Sequence, residues 1–210
     1  DMLEMLLAPS GLDFSQFAAR GYLKGPDKFK KYKASGFKTP SGKVELSLSR
    51  AAKLKVSSLP NFNGYPVPED PEYPLVLTSA KSRYYLHSSY RWLEKLRKKQ
   101  PHPRALIHPK TAADCDIEDD DEIIIETLYG RIIQVAHLTE TVDPRVIYAA
   151  YGWWFPEEKA EALYKWNRSN FNILTSTDNL GREFGTPNLK GINCRIRKVR
   201  GEDKLSNNSM

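Results

Sequence analysis

Cysteine is nearly absent: Cys115 and Cys194 are the only two in 210 residues. They have no CxxC spacing and no histidine neighbour at metal-ligand spacing, which argues against a zinc or iron–sulfur site here. Isolated cysteines of this kind are expected to act as small buried apolar residues. Long apolar runs are also missing, so nothing reaches the ~20 residues that a membrane-spanning helix needs. The opening segment DMLEMLLAPSGL has an acidic start and no basic n-region, and does not read as a signal peptide. No methionine stands at position 1, which suggests a piece cut from a longer polypeptide. Internal repeats are lacking, and no Ser–His–Asp or Cys–His pair stands out for covalent catalysis.

What the chain does have is a positive balance, with 32 Lys and Arg against 26 Asp and Glu. This permits a nucleic-acid, phosphate or acidic-protein partner, while for most lysines a solvated basic surface is the first reading. At 40% hydrophobic residues, the chain can build one core plus an appendage.

Residues 1–66 read as an irregular N-terminal arm. Short helices are expected over residues 2–7 and 14–22, interrupted by Gly11, Gly21, Gly25 and Pro26. A basic run, residues 28–33, follows, then a turn, and residues 44–48 alternate like a strand. Prolines 60, 66, 68, 71 and 74 mark an extended linker. The arm has no periodic apolar face large enough for a core of its own. It is expected to pack on the following domain, lie extended, or associate with another copy.

From residue 67 to 200 the texture changes to short strands with turn signals. Strands are expected at residues 73–78, 104–108, 122–128, 131–139, 145–150 and 194–199, with a hairpin at Tyr129-Gly130. Helices are expected at residues 89–100, capped by Ser88 or Ser89, at 109–115 behind Pro109, and at 156–166. Many strands with few helices argue for a small closed barrel. Residues 201–210 read as a flexible tail.

Several segments resemble, in order, the C-terminal dinucleotide-binding domain of the molybdopterin oxidoreductase (dimethyl-sulfoxide-reductase) superfamily. They are FKTPSGKVEL at 37–46, PLVLTS at 74–79, His87-Ser88 with Arg91, IHPKTAA at 107–113 leading into Asp119-Asp120-Asp121, and YGRI at 129–132. The series continues with GWW at 152–154, NFNILT at 170–175, GTPNLK at 185–190 and Cys194-Arg195-Ile196. No piece is specific alone; the ordered series over most of the chain is.

The resemblance implies a mainly β fold with short helices, a six-stranded double-psi β-barrel. It implies molybdopterin guanine dinucleotide as cofactor, with molybdenum or tungsten in the full-length parent. The metal-ligating residue and any iron–sulfur cluster would lie in missing N-terminal domains of the same polypeptide, so no catalytic residue is assigned here. It leaves the compartment open between a prokaryotic-type cytoplasm and periplasm for a soluble protein, and adds an electron-transfer subunit as a further partner; apolar surface left by the missing domains is expected to favour self-association. The alternative is a basic docking module, with Tyr22, Phe29, Tyr32 and Phe37 interleaved among lysines, for nucleic acid or a partner subunit. The resemblance disfavours nucleic acid.

With that resemblance, twelve residues become candidates for cofactor binding. Thr78, Ser79 and Lys81 follow the first strand and offer the hydroxyls and charge that a pyrophosphate needs. Ala80-Lys81 replaces the family's usual Gly-Arg or Gly-Lys, which keeps a cation and loses backbone freedom. His87, Ser88 and Arg91 are placed around a helix start, where donors meet a phosphate or pterin edge; for His87 a structural role has equal weight. His108 precedes Pro109, and a capping role competes equally with a ligand role. Asn172 and Asp178 can read a guanine edge, or only stabilise turns. Thr186, Pro187 and Lys190 form a turn with a cation behind it, before the last strand. His102 and His137 read as structural, Trp153 and Trp154 as packing residues, and residues 119–122 as a solvated acidic turn.

Overall fold

The computed structural model describes residues 2–59, 69–178, 180–181, 185–201 and 203. Prolines 60, 66 and 68 of the expected linker, and residues 204–210 of the expected tail, lie outside the described residues. The chain divides into two compact units, Asp1–Asn61 and Phe62–Met210.

The described residues of the first unit form four short α-helices, α1 (Met2–Leu7), α2 (Phe14–Arg20), α3 (Tyr32–Ser35) and α4 (Ala51–Leu54). Asp13 and Gln16 form a capping box at the start of α2, and Gly21 ends it in the left-handed region. Burial is slight: Ala51 is the buried hydrophobic residue among those described here, whereas Phe29 is 92% and Leu46 87% exposed. The strand expected at residues 44–48 does not form. Among the described residues of this unit no strand is available to pair with it, and local bonds occupy its groups instead. Glu45 accepts from the Ser41 N–H and the Ser49 hydroxyl, and Thr39 donates to the Lys43 carbonyl.

The second unit is a closed barrel of six strands: β1 (Leu75–Ala80), β2 (Arg104–Ile107), β3 (Glu122–Thr127), β4 (Gly130–Leu138), β5 (Val146–Ala150) and β6 (Lys190–Lys198). Their order around the barrel is β1-β5-β2-β4-β3-β6. Two parallel pairs, β1 with β5 and β2 with β4, stand among antiparallel neighbours, in keeping with the expected double-psi barrel. Alternating residues fill the interior: Leu77, Ile123, Ile125, Ile132, Ile147, Cys194 and Ile196 all belong to one buried cluster. On the outer face of β6, Arg195 grips Glu126 across the strand pair and also reaches Glu72, while Arg197 grips Asp203.

The helices α5 (Glu94–Lys99), α6 (Pro109–Asp114) and α7 (Trp166–Ser169) accompany the barrel. Two expected helices are shorter than their sequences suggest. Residues 89–93 are not helical, because His87 and Tyr90 adopt positive φ and the Ser89 N–H bonds to Leu86. Neither Ser88 nor Ser89 is therefore an N-cap; α5 begins after Leu93, without a side-chain cap. Residues 160–165 form a 3-10 segment that breaks at Leu163, Tyr164 and Lys165, all left-handed.

Both cysteines are free. Burial pushes the Cys194 thiol up to about 12, and burial, aided by Asp114 and Asp116, raises Cys115 as well. Since the thiolate is the reactive form, Cys194 should resist a thiol reagent at pH 8 until the barrel unfolds, with half-exposed Cys115 reacting slowly. Mass spectrometry of alkylated peptides checks this; rapid native labelling of Cys194 would contradict its burial.

Candidate functional site

Strand directions decide which loops meet. β1 and β5 run parallel and both finish at one end of the barrel, with Ala80 beside Ala150. β6 runs antiparallel to β1 and starts at that end, with Thr78 paired to Lys190. The β3–β4 hairpin also turns there, because β3 is antiparallel to β6. The loops after β1 and β5, the hairpin at Leu128-Tyr129, and the segment before β6 thus share one rim.

Most of the candidate residues belong to these rim segments; Arg91 is buried behind them, Asp178 is held by local bonds alone, and His108 lies elsewhere. Thr78 and Ser79 are half-buried at the end of β1, and the Ser79 N–H donates to Leu189 at 3.0 Å. Lys81 and Lys190 are exposed on either side of that junction. Asn172 is exposed on a 3-10 turn, Phe171–Leu174, that packs under the hairpin. Asn170 caps this turn by accepting from the Asn172 N–H, and Thr127 anchors its far end through the Leu174 carbonyl. Gly130 is required at the contact, since a Cβ there would come within 2.6 Å of the Ile173 carbonyl oxygen. Thr186 and Pro187 are exposed; Thr186 accepts from the Gly181 N–H, and Pro187 bridges Leu180. Asp178 is exposed and bonded to the Ser176 hydroxyl.

The loop after β1 carries His87 and Ser88, both exposed. His87 has φ of 54° and meets the Tyr151 ring edge-on at 5.4 Å. The Trp154 indole N–H donates to the Ser88 carbonyl at 2.8 Å. Arg91 was expected near a helix start with its donors outward. It is instead 1% exposed, between the rings of Tyr85 and Trp153 at 4.3 and 4.0 Å. Its guanidinium donates to the carbonyls of Gly152 and His87. Burial lowers its pKa to about 10, with the charge of Arg97 contributing, so it stays cationic at neutral pH.

His108 lies at the opposite end of the barrel, after β2. Its Nδ1 accepts from the Lys110 N–H and caps α6, so the capping reading is the one its geometry displays. The acidic turn is spread among separate partners. Asp119 accepts from the Leu138 N–H, Asp120 pairs with Arg104, Asp121 with Lys198, and Glu122 with Arg168. Among the described residues no group of three or more His, Cys, Asp or Glu could hold a metal ion.

A separate cleft of about 390 Å³ on the flank is lined by Arg97, His102, Ile133, Phe155, Glu157 and Arg168, among others. Its cations are already neutralised, Arg97 by Glu157 and Arg168 by Glu122. At the rim the opposite holds: among the described residues Lys81, Arg83 and Lys190 form no ion pair. Unpaired cations, hydroxyls from Thr78, Ser79, Ser88 and Thr186, and the Asn172 amide are the donors that an anionic, heteroaromatic ligand requires. The residues present therefore fit a dinucleotide.

Comparison with known proteins agrees. Residues 75–193 match the family model described as "Molydopterin dinucleotide binding domain". Acetylene hydratase of Syntrophotalea acetylenica is 31% identical over 208 residues, covering 91% of this chain and 28% of the relative. Dopamine dehydroxylase of Eggerthella lenta is 38% identical over 138 residues, covering 65% of this chain and 14% of the relative. The solved structure of acetylene hydratase from Pelobacter acetylenicus superposes with a TM-score of 0.78 at 32% identity, covering 95% of this chain and 30% of that one. The chain belongs to the molybdopterin dinucleotide-binding domain family. Its cofactor class is the expected molybdopterin guanine dinucleotide with molybdenum or tungsten, and it spans less than a third of the length of these relatives.

Sequence reasoning missed Gln134, whose signal was a lone amide in the run Ile132-Ile133-Gln134-Val135. Fully buried, it donates to the Ala150 carbonyl at 2.7 Å and accepts from the Ala150 N–H at 2.9 Å, tying β4 to the end of β5 beneath the rim. Gln134→Leu should leave both backbone groups unsatisfied and lower stability by about 2 kcal/mol. Urea denaturation measures this; an unchanged midpoint would mean that Ala150 finds other partners.

Proposed function

We propose that this chain forms one wall of the cofactor site of a molybdenum or tungsten enzyme, with residues 1–66 a remnant of a preceding domain and its linker, 67–200 the dinucleotide-binding barrel and 201–210 a tail. The carrying observation is the convergence of separate loops, with their unpaired cations, on one rim. Lys81 and Lys190 oppose phosphate or polar pterin atoms, while Thr78, Ser79 and Thr186 supply hydroxyl donors beside them. Asn172 faces the guanine edge, with Asp178 a second acceptor for its N–H groups. Pro187 stiffens the turn that presents Lys190. His87 and Ser88 contribute the loop after β1, and Arg91 serves from behind it. His108, at the far end, has no place in this arrangement.

When bound, the metal–pterin group supplies two-electron redox or, as the name acetylene hydratase illustrates for that relative, hydration chemistry. The chain's own part is to hold and orient the dinucleotide. Further domains of the same polypeptide would supply the metal ligand and any iron–sulfur cluster. An electron-transfer subunit is a further partner, and exposed apolar side chains such as Phe29 and Leu46 favour self-association of the isolated chain. No helix among the described residues is long and apolar enough to cross a membrane.

The test uses the complete enzyme that contains this chain. Asn172→Ala and Lys190→Ala should each remove a contact worth on the order of 1–3 kcal/mol and lower cofactor occupancy and activity in part, with a larger loss in the double variant. Full cofactor content and unchanged activity in the double variant would remove both residues from the site.

A second reading concerns the arm alone. Residues 1–61 carry 11 Lys and Arg against 5 Asp and Glu, and the rest of the chain balances. With the exposed rings of Tyr22, Phe29, Tyr32 and Phe37, this could dock an acidic partner or nucleic acid. Salt-sensitive binding of random oligonucleotides, without binding of guanine nucleotides, would favour it.

A further inference from the structure

The loop bearing His87 and Ser88 is held in a conformation that its residue types disfavour. His87 sits at φ of 54°, a left-handed geometry that residues with a Cβ adopt only where the surroundings over-determine it. Three neighbours do so here. Trp154 donates its indole N–H to the Ser88 carbonyl at 2.8 Å. Arg91 donates Nη2 to the His87 carbonyl at 3.3 Å, and Nε and Nη2 to the Gly152 carbonyl at 3.2 and 3.0 Å. Gly152, itself at φ of 68°, presses its backbone so close that a Cβ would lie 3.0 Å from the His87 carbonyl carbon and 3.1 Å from the Ser88 nitrogen.

The clamp is itself braced. The Trp154 ring meets Trp92 and Tyr164 edge-on at 5.0 and 5.3 Å, and Trp92 meets Tyr164 at 5.6 Å. Tyr164 stands in the left-handed run Leu163, Tyr164 and Lys165, fixed by a bond from the Phe155 N–H to the Tyr164 carbonyl.

We propose that Trp154, with Arg91 and Gly152, is a positioning device that fixes the His87–Ser88 backbone for the dinucleotide. The inference rests on the reading of this rim as the dinucleotide site. The clamp occupies the carbonyls of His87 and Ser88, acceptors that would repel an anionic ligand. The exposed imidazole and hydroxyl remain as the loop's donors toward phosphate or a pterin edge. Arg91 thereby acts through the loop from its buried position.

The test is Trp154→Phe, which keeps an aromatic ring and deletes the N–H donor. In this chain without cofactor, hydrogen exchange of the amides at 87–90, read best at the Ser89 N–H bonded to Leu86 at 2.8 Å, should speed up about five-fold. The barrel strands should keep their protection and the melting temperature should hold. Arg91→Lys, which retains the charge and loses the forked grip, should loosen the same amides, and serves if the first variant folds poorly. In the complete enzyme, Trp154→Phe should lower pterin content, measured by fluorescence after denaturation, severalfold. Unchanged exchange in both variants, or an increase spread evenly over β1 to β6, overturns the clamp. A loosened loop with undiminished pterin content overturns its link to the cofactor. The exchange readout involves no cofactor, so it stands or falls separately from the Asn172 and Lys190 variants.

Discussion

Strand β1 is hydrogen-bonded along both edges, parallel to β5 on one side and antiparallel to β6 on the other. A strand can take two neighbours only if each has a matching register, and β6 achieves its match through a shift between Leu77 and Thr78. Closure of the barrel therefore joins the first and last strands of the domain. It places the exit of β1, the exit of β5 and the entry of β6 on one rim, although they lie more than a hundred residues apart at the extremes. The candidate site is a consequence of that closure. Gln134 reinforces it from inside, by satisfying the backbone of Ala150 where β5 ends.

Charge is distributed in keeping with this geometry. On the flanks, Arg104, Arg168, Arg195, Arg197 and Lys198 each face a carboxylate, so the outer wall is neutralised locally. Such half-exposed pairs contribute modestly to stability, and their main effect is to leave no strong field on the side of the barrel. The rim cations have no such partners among the described residues. An anionic ligand there meets cations that no described carboxylate pairs with, whereas the flank cleft offers arginines already taken.

Much of the barrel was legible from alternation, because a strand with one buried face repeats every two residues; five strands lie within two residues of their expected bounds, and β6 begins four residues early. The β3–β4 hairpin was legible for a similarly local reason, whereas for His108 the sequence left cap and ligand roles equal and the structure displays the cap. Other expectations failed where local pattern and tertiary contact diverge. Residues 44–48 alternate but find no strand to pair with among the described residues of their unit. Residues 89–93 and 156–166 have helical composition, yet His87, Tyr90, Leu163, Tyr164 and Lys165 are turned left-handed around the Trp92, Trp154 and Tyr164 rings. Arg91 became a candidate donor through the family resemblance and its expected place around a helix start. Its burial depends on Tyr85 and Trp153, which no sequence spacing relates to it.

By itself the sequence determined the strands, the family and the residue types able to meet a dinucleotide, because periodicity and ordered motifs are properties of the chain read in line. The tertiary structure alone decided which of those residues share a place. Strand direction put Lys81, Asn172 and Lys190 on one rim and His108 at the other end, and packing turned Arg91 inward to hold a loop. Direction and packing depend on which distant segments pair, and a hydrogen bond between β1 and β6 is written in neither strand separately.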